Sequence, residues 1–127
     1  MQSRRLQQIE KNRKMNTQTF VLICDLKDDE EAIQAYVECH KAVAPAIIQS
    51  LHDSGILKLS IYRWRHRLTM ILVGDENFTF EKKAALDNAN EKVQEWEAFL
   101  GQYQTNLPGT PDNWRWQLTD KIFDFHA

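Results

Sequence analysis

The chain of 127 residues balances 16 Lys and Arg against 18 Asp and Glu, a net charge of -2, and 43% of its residues are apolar. That length and composition suit one soluble domain with its own core. The near-neutral charge gives no field to gather nucleic acid or an anionic membrane, and no apolar run is long enough to span a bilayer.

The first fourteen residues are polar and basic with no apolar h-region, so they do not read as a secretory signal. Residues 1–16 are expected to be disordered or an extension, with Met15 as an alternative start, and residues 17–127 to form the domain. Thr19–Leu26 is apolar and β-branched and predicts a strand. Asp28, Asp29 and Glu30 follow as an acidic helix start. Ile33, Tyr36, His40, Val43, Ile47 and Leu51 recur at spacings of three and four, one helical stripe that Pro45 must kink or split into two short helices. Asp53-Ser54-Gly55 stops it. Ile56–Trp64 and Leu68–Val73 predict a hairpin joined through Arg65-His66-Arg67.

After a loop at Gly74–Asn77, a second helical stripe runs through Leu86, Ala89, Val93, Trp96, Leu100 and Tyr103. Asn106–Pro111 breaks it, and Trp114–Phe125 predicts a last strand. The order β-α-β-β-α-β is the split βαβ of an α+β, ferredoxin-like domain: a four-stranded antiparallel sheet with both helices on one face. Nothing in the chain covers the other face, so a homodimer through it is expected, in the manner of a dimeric α/β barrel.

Few residues carry chemistry. Cys24 and Cys39 match no metal motif and read as free thiols of a reducing cytoplasm. His52, His66 and His126 have no ligand spacing, so no metal is expected. Arg63, Arg65 and Arg67 read as a solvated basic patch. There is no phosphate loop, nucleophile elbow or zinc signature. His40 stands out: on an apolar stripe it is either a core histidine tied to a backbone carbonyl or a general acid/base near neutrality. Tyr36, one turn earlier, either packs or orients that histidine. Trp96 either packs or offers its indole face to a sugar. The face of Tyr62 is open, toward the helices or away from them.

Tyr36-Val-Glu-Cys-His40, Pro45, Ser54-Gly55-Ile56, Ile61-Tyr62, Arg67-Leu68, Met70, Val93-Gln-Glu-Trp-Glu97 and Ile122-Phe123 together resemble the rhamnose mutarotase family from about Phe20 to Phe125. The Trp96-Glu97 pair after Val93-Gln94 is closer to its fucose mutarotase branch. The chain departs from the family pattern at Ala44 and Ala46 around Pro45, at Leu59 where the rhamnose branch carries a tyrosine, and at Ser60 where the fucose branch carries an acid. The resemblance implies a dimeric ferredoxin-like fold and interconversion of sugar anomers without a cofactor. It puts His40 in the acid/base position and Tyr36, Trp96 and Glu97 in the sugar pocket.

The expected function is therefore mutarotation of a 6-deoxyhexose, L-fucose ahead of L-rhamnose, by ring opening and closure. Tyr62 or a pocket water would be the proton partner of His40. Two other readings stand beside it: a cofactor-independent monooxygenase on the same scaffold, and a non-catalytic dimeric sugar-binding protein.

Overall fold

The computed structural model describes residues 16–111 and 115–127. The expected extension at 1–16 therefore lies outside the described residues, apart from Asn16. Strand β1 (Gln18–Leu26) is followed by helices α1 (Glu30–Cys39) and α2 (Pro45–Asp53). The hairpin β2 (Ile56–Trp64) and β3 (Arg67–Gly74) comes next, then α3 (Phe80–Asn88), α4 (Glu91–Gly101), β4 (Gln104–Thr105) and β5 (Gln117–Leu118). All pairings are antiparallel, in the order β2-β3-β1-β4, with β5 also on the free edge of β1. This is the ferredoxin-like arrangement, and the sheet stays open.

Local chemistry explains the helix boundaries. The Asp29 carboxylate accepts from Ala32 N and caps α1, so part of the acidic run serves as a cap. Pro45 falls at the first turn of α2, where its missing N–H costs no hydrogen bond, and the expected stripe becomes two helices. Gly55 closes that segment with φ +80°, and a Cβ there would meet the Asp75 carboxylate at 2.9 Å. The second stripe also splits, which its periodicity does not predict. Asn90 accepts from the N–H groups of Lys92 and Val93 and starts α4 afresh, and Leu86 is left exposed.

Alternation along the strands builds the core. Phe20, Leu22, Cys24 and Leu26 of β1 and Leu68, Met70 and Leu72 of β3 face the helices. There they meet Ile33 and Tyr36 of α1 at one end, and Ile56 and Phe78 at the other. Trp116 packs against both groups. Cys24 and Cys39 are both unpaired, Cys24 buried and Cys39 partly so. No helix among the described residues is long and apolar enough to cross a membrane.

The last strand differs most from expectation. Trp114 lies outside the described residues, and from Arg115 onward only Gln117–Leu118 pairs, with Thr119 adding a bond from its N–H to Val21 O. Gln104–Thr105 takes the other end of the same β1 edge. The remaining tail leaves Ile122, Phe123 and Phe125 exposed, Ile122 at 96%.

Candidate functional site

A cavity of about 930 Å³ opens between the helices and the inward face of the sheet. That is the upper end of the range for small-molecule pockets. His40 reaches it from the end of α1, where the helix tightens. The His40 N–H bonds Val37 O and the Lys41 N–H bonds Glu38 O, both three residues back. The Tyr36 carbonyl thus lacks its usual backbone donor and is one of the free acceptors of a helix end. It is filled by side chains: His40 Nδ1 lies 2.7 Å away and Cys39 Sγ 3.1 Å.

That contact assigns the tautomer. A carbonyl oxygen can only accept, so Nδ1 carries the proton and donates it. In the neutral ring Nε2 then holds the lone pair, as a general base requires. The first reading of His40 is the one seen: the ring is tied to a backbone carbonyl, and the tie leaves the other nitrogen as an acceptor.

Aromatic neighbours fix the ring. Tyr36 lies 4.6 Å from it between centroids, and Trp96 of α4 meets it edge-on at 5.4 Å. Trp96 is itself stacked on Phe99 at 6.0 Å. The Tyr36 hydroxyl takes a hydrogen bond from the Gln104 side chain of β4, yet burial dominates and pushes the phenol well above its ordinary range. Tyr36 therefore stays protonated.

The other polar wall comes from α3 and α4. Lys83 and Asp87, one turn apart, form an ion pair in which the Asp87 side chain is only 9% exposed. The Gln94 side chain of α4 donates to Asp87 O at 2.8 Å and locks the two helices together. Glu97 lies at the rim, exposed as a residue. Its carboxyl is held above the usual carboxylate range, first by burial and then by the charge of Asp87, with Lys83 opposing. Arg63 and Arg115 add cations to the wall. Among the described residues no three His, Cys, Asp or Glu are grouped to hold a metal ion.

The structure thus brings His40, Tyr36, Trp96 and Glu97 to one cavity. It does not bring Tyr62. Tyr62 pairs with Thr69, on the face of the sheet away from the helices, and is 61% exposed, whereas Ile61 and Arg63 on either side of it face the cavity. The expected pairing of Tyr62 with His40 fails within this chain by strand alternation alone. The basic patch also disperses. Arg63 lines the cavity, Arg65 lies over the Trp64 ring, and Arg67 bonds Asp25 through two nitrogens at 2.8 and 3.1 Å. Of the four departures, Leu59 lines the cavity; Ala44, Ala46 and Ser60 do not.

Sequence reading misses Lys83, Asp87, Gln104 and Arg115. The first two carry a usable signal, a Lys and an Asp four apart on one helix face. Gln104 and Arg115 sit on the irregular last segment, where periodicity says nothing.

The model of the L-rhamnose mutarotase family matches residues 19–125. The chain belongs to that family. It is thereby placed among carbohydrate isomerases, the sugar mutarotases. An L-fucose mutarotase from Xanthomonas campestris pv. campestris is 33% identical over 111 residues, 86% of this chain and 89% of that one. The crystal structure of an L-rhamnose mutarotase from Formosa agariphila superposes with a TM-score of 0.63 at 20% identity, covering 86% of this chain and 99% of the other. A candidate antibiotic biosynthesis monooxygenase from Nitrosomonas europaea reaches a TM-score of 0.52 at 12% identity, covering 82% and 86%. At those identities the two structures share the fold and nothing finer.

Proposed function

We propose that this mutarotase interconverts the α and β anomers of a 6-deoxyhexose, L-fucose ahead of L-rhamnose, by acid/base opening and closure of the ring without a cofactor. The observation that carries the mechanism is the bond from His40 Nδ1–H to the Tyr36 carbonyl, which leaves Nε2 basic beside the cavity. His40 takes the proton of the anomeric hydroxyl as the ring opens and returns one to that oxygen as it closes on the other face. The Trp96 indole supports the C–H face of the sugar, and Tyr36 and Glu97 hydrogen-bond its hydroxyls. The identity to an L-fucose mutarotase over most of both chains supports fucose as the first sugar to test.

The working unit in this reading is a cytoplasmic homodimer, closed through the open face of the sheet. Val21, Ile71 and Val73 lie on that face with the exposed rings of Tyr62 and Trp64. The apolar tail at Ile122, Phe123 and Phe125 is available to the same partner. Two unpaired thiols, one of them buried, suit a reducing compartment.

The test is saturation-transfer NMR between the two anomeric protons of L-fucose and of L-rhamnose, with and without protein. Faster exchange of L-fucose is the expected result, with L-rhamnose second. Saturable binding of either sugar without faster exchange overturns the reading in favour of a binding protein.

A further inference from the structure

Ring opening moves two protons. One leaves the anomeric hydroxyl and one arrives at the ring oxygen, so His40 alone leaves the second unassigned. The polar wall narrows the choice by elimination. Arg63 and Arg115 hold their protons throughout the neutral range. Lys83 and Asp87 are committed to each other. Ser50 spends its hydroxyl proton on Ile47 O at 2.6 Å. Tyr36 is an even weaker acid than a free phenol, because burial opposes its phenolate. Glu97 is left: its carboxyl lines the same cavity.

Its position suits the task. Trp96 meets the His40 ring edge-on, and Glu97, the next residue on α4, lines the same cavity. Beneath it, the bond from Gln94 to the Asp87 carbonyl ties α3 to α4 and fixes the Lys83–Asp87 pair near the Glu97 carboxyl. The charged groups facing Glu97 are thus Asp87 and Lys83 from α3, with His40 across the cavity at the end of α1.

We propose that Glu97 is the second proton-transfer residue of this site, exchanging its proton with the ring oxygen while His40 serves the anomeric oxygen. The proposal rests on the mutarotase reading and deepens it. In the opening step His40 Nε2 takes the O1 proton, the O1 electrons form the C1=O1 bond, the C1–O5 bond breaks, and the Glu97 carboxylic acid protonates O5. The aldehyde turns about C1–C2. On closure Glu97 takes the O5 proton back, O5 attacks the other face of C1, and protonated His40 returns a proton to O1. Between them the two residues hold one proton at the start and one at the end. Burial, and then the Asp87 charge, hold the Glu97 carboxyl above its ordinary value, which favours the protonated form that serves as the acid.

The test uses the full chain and L-fucose. In Glu97→Gln, kcat/KM for anomer exchange falls by about 10²-fold or more. The alkaline limb of the pH profile disappears, because no second group then has to keep its proton, and sugar affinity by NMR titration stays within about threefold. Glu97→Asp restores part of the rate. The control is Glu95→Gln, on the same helix at an exposed pair with Lys92, and it keeps wild-type exchange. A folded Glu97→Gln protein with wild-type rate and an unaltered alkaline limb overturns the proposal while the mutarotase reading stands. A wild-type protein that accelerates neither sugar overturns the reading, and the proposal with it.

Discussion

The two faces of this sheet are made of similar residues and meet different fates. The inward face is sealed by four helices that leave a cavity, and the strand side chains there serve as core and as cavity wall. The outward face presents Val21, Ile71 and Val73 with the rings of Tyr62 and Trp64, and no helix among the described residues covers it. At one end of that face Asp25, only 4% exposed, is pinned by Arg67. Removal of a paired charge there leaves the other uncompensated, so the pair specifies how the face is presented more than it adds stability. The lesson is a division of labour. In the proposed reading, chemistry belongs to the side that the helices close, and association to the side that they leave open.

The largest expected effect tests the inward face. His40→Ala removes the proposed base and one of the two side-chain partners of the Tyr36 carbonyl, at a half-buried position. Anomer exchange should fall by about 10²–10⁴-fold, measured by saturation transfer, with the far-ultraviolet circular dichroism of the wild type. Retained exchange would break the link between the cavity and the chemistry.

Next come paired substitutions across one strand. Leu68 is 1% exposed and faces the helices, so Leu68→Ala should cost about 2–5 kcal/mol of stability in denaturant titration. Ile71 faces outward on the same strand, opposite Val21 and Ser60. Ile71→Lys should leave the fold in place and halve the mass measured by light scattering. A wild-type monomer would end the division of labour proposed for the two faces.

How much of this was legible beforehand follows from which forces act locally. The first strand, the hairpin and the Pro45 break are written in periodicity and in the missing N–H of proline. The Tyr36–His40 pair is written in helical spacing. The tautomer was not, because it depends on a carbonyl that becomes free only when the last turn tightens. The face of Tyr62 was not, because it is set by the register against β3 and by an irregularity between Ile56 and Lys58. The final strand was overread: Ile122, Phe123 and Phe125 have the composition of a strand but pair with no strand among the described residues. The polar wall of α3 and α4 was hidden by Asn90, whose capping bonds turn one expected helix into two and swing Lys83 and Asp87 toward the cavity.

The smallest effect is a shift in pH profile, and it sharpens the comparison within the inward face. The His40 end and the Glu97 end must hold one proton between them. The profile is then bell-shaped, falling on the acid side where both groups are protonated and on the alkaline side where neither is. Burial raises the Glu97 carboxyl first, the Asp87 charge raises it further, and Lys83 opposes. Asp87→Asn removes a raising influence and frees Lys83 to lower the carboxyl more. Both changes act in one direction, so the acidic limb should move to lower pH while the alkaline limb stays. The maximal rate should fall only modestly, because neither His40 nor Glu97 is removed. The same groups predict a stability trend of matching sign. A carboxyl raised in the folded state binds its proton more tightly there than in the unfolded chain, so its contribution favours folding at low pH. That contribution is lost as pH rises through the folded value. Glu97→Gln should accordingly be no less stable than wild type at neutral pH, and its lost exchange is then attributable to chemistry. An Asp87→Asn protein whose alkaline limb moves instead would place the Lys83–Asp87 pair under the control of His40.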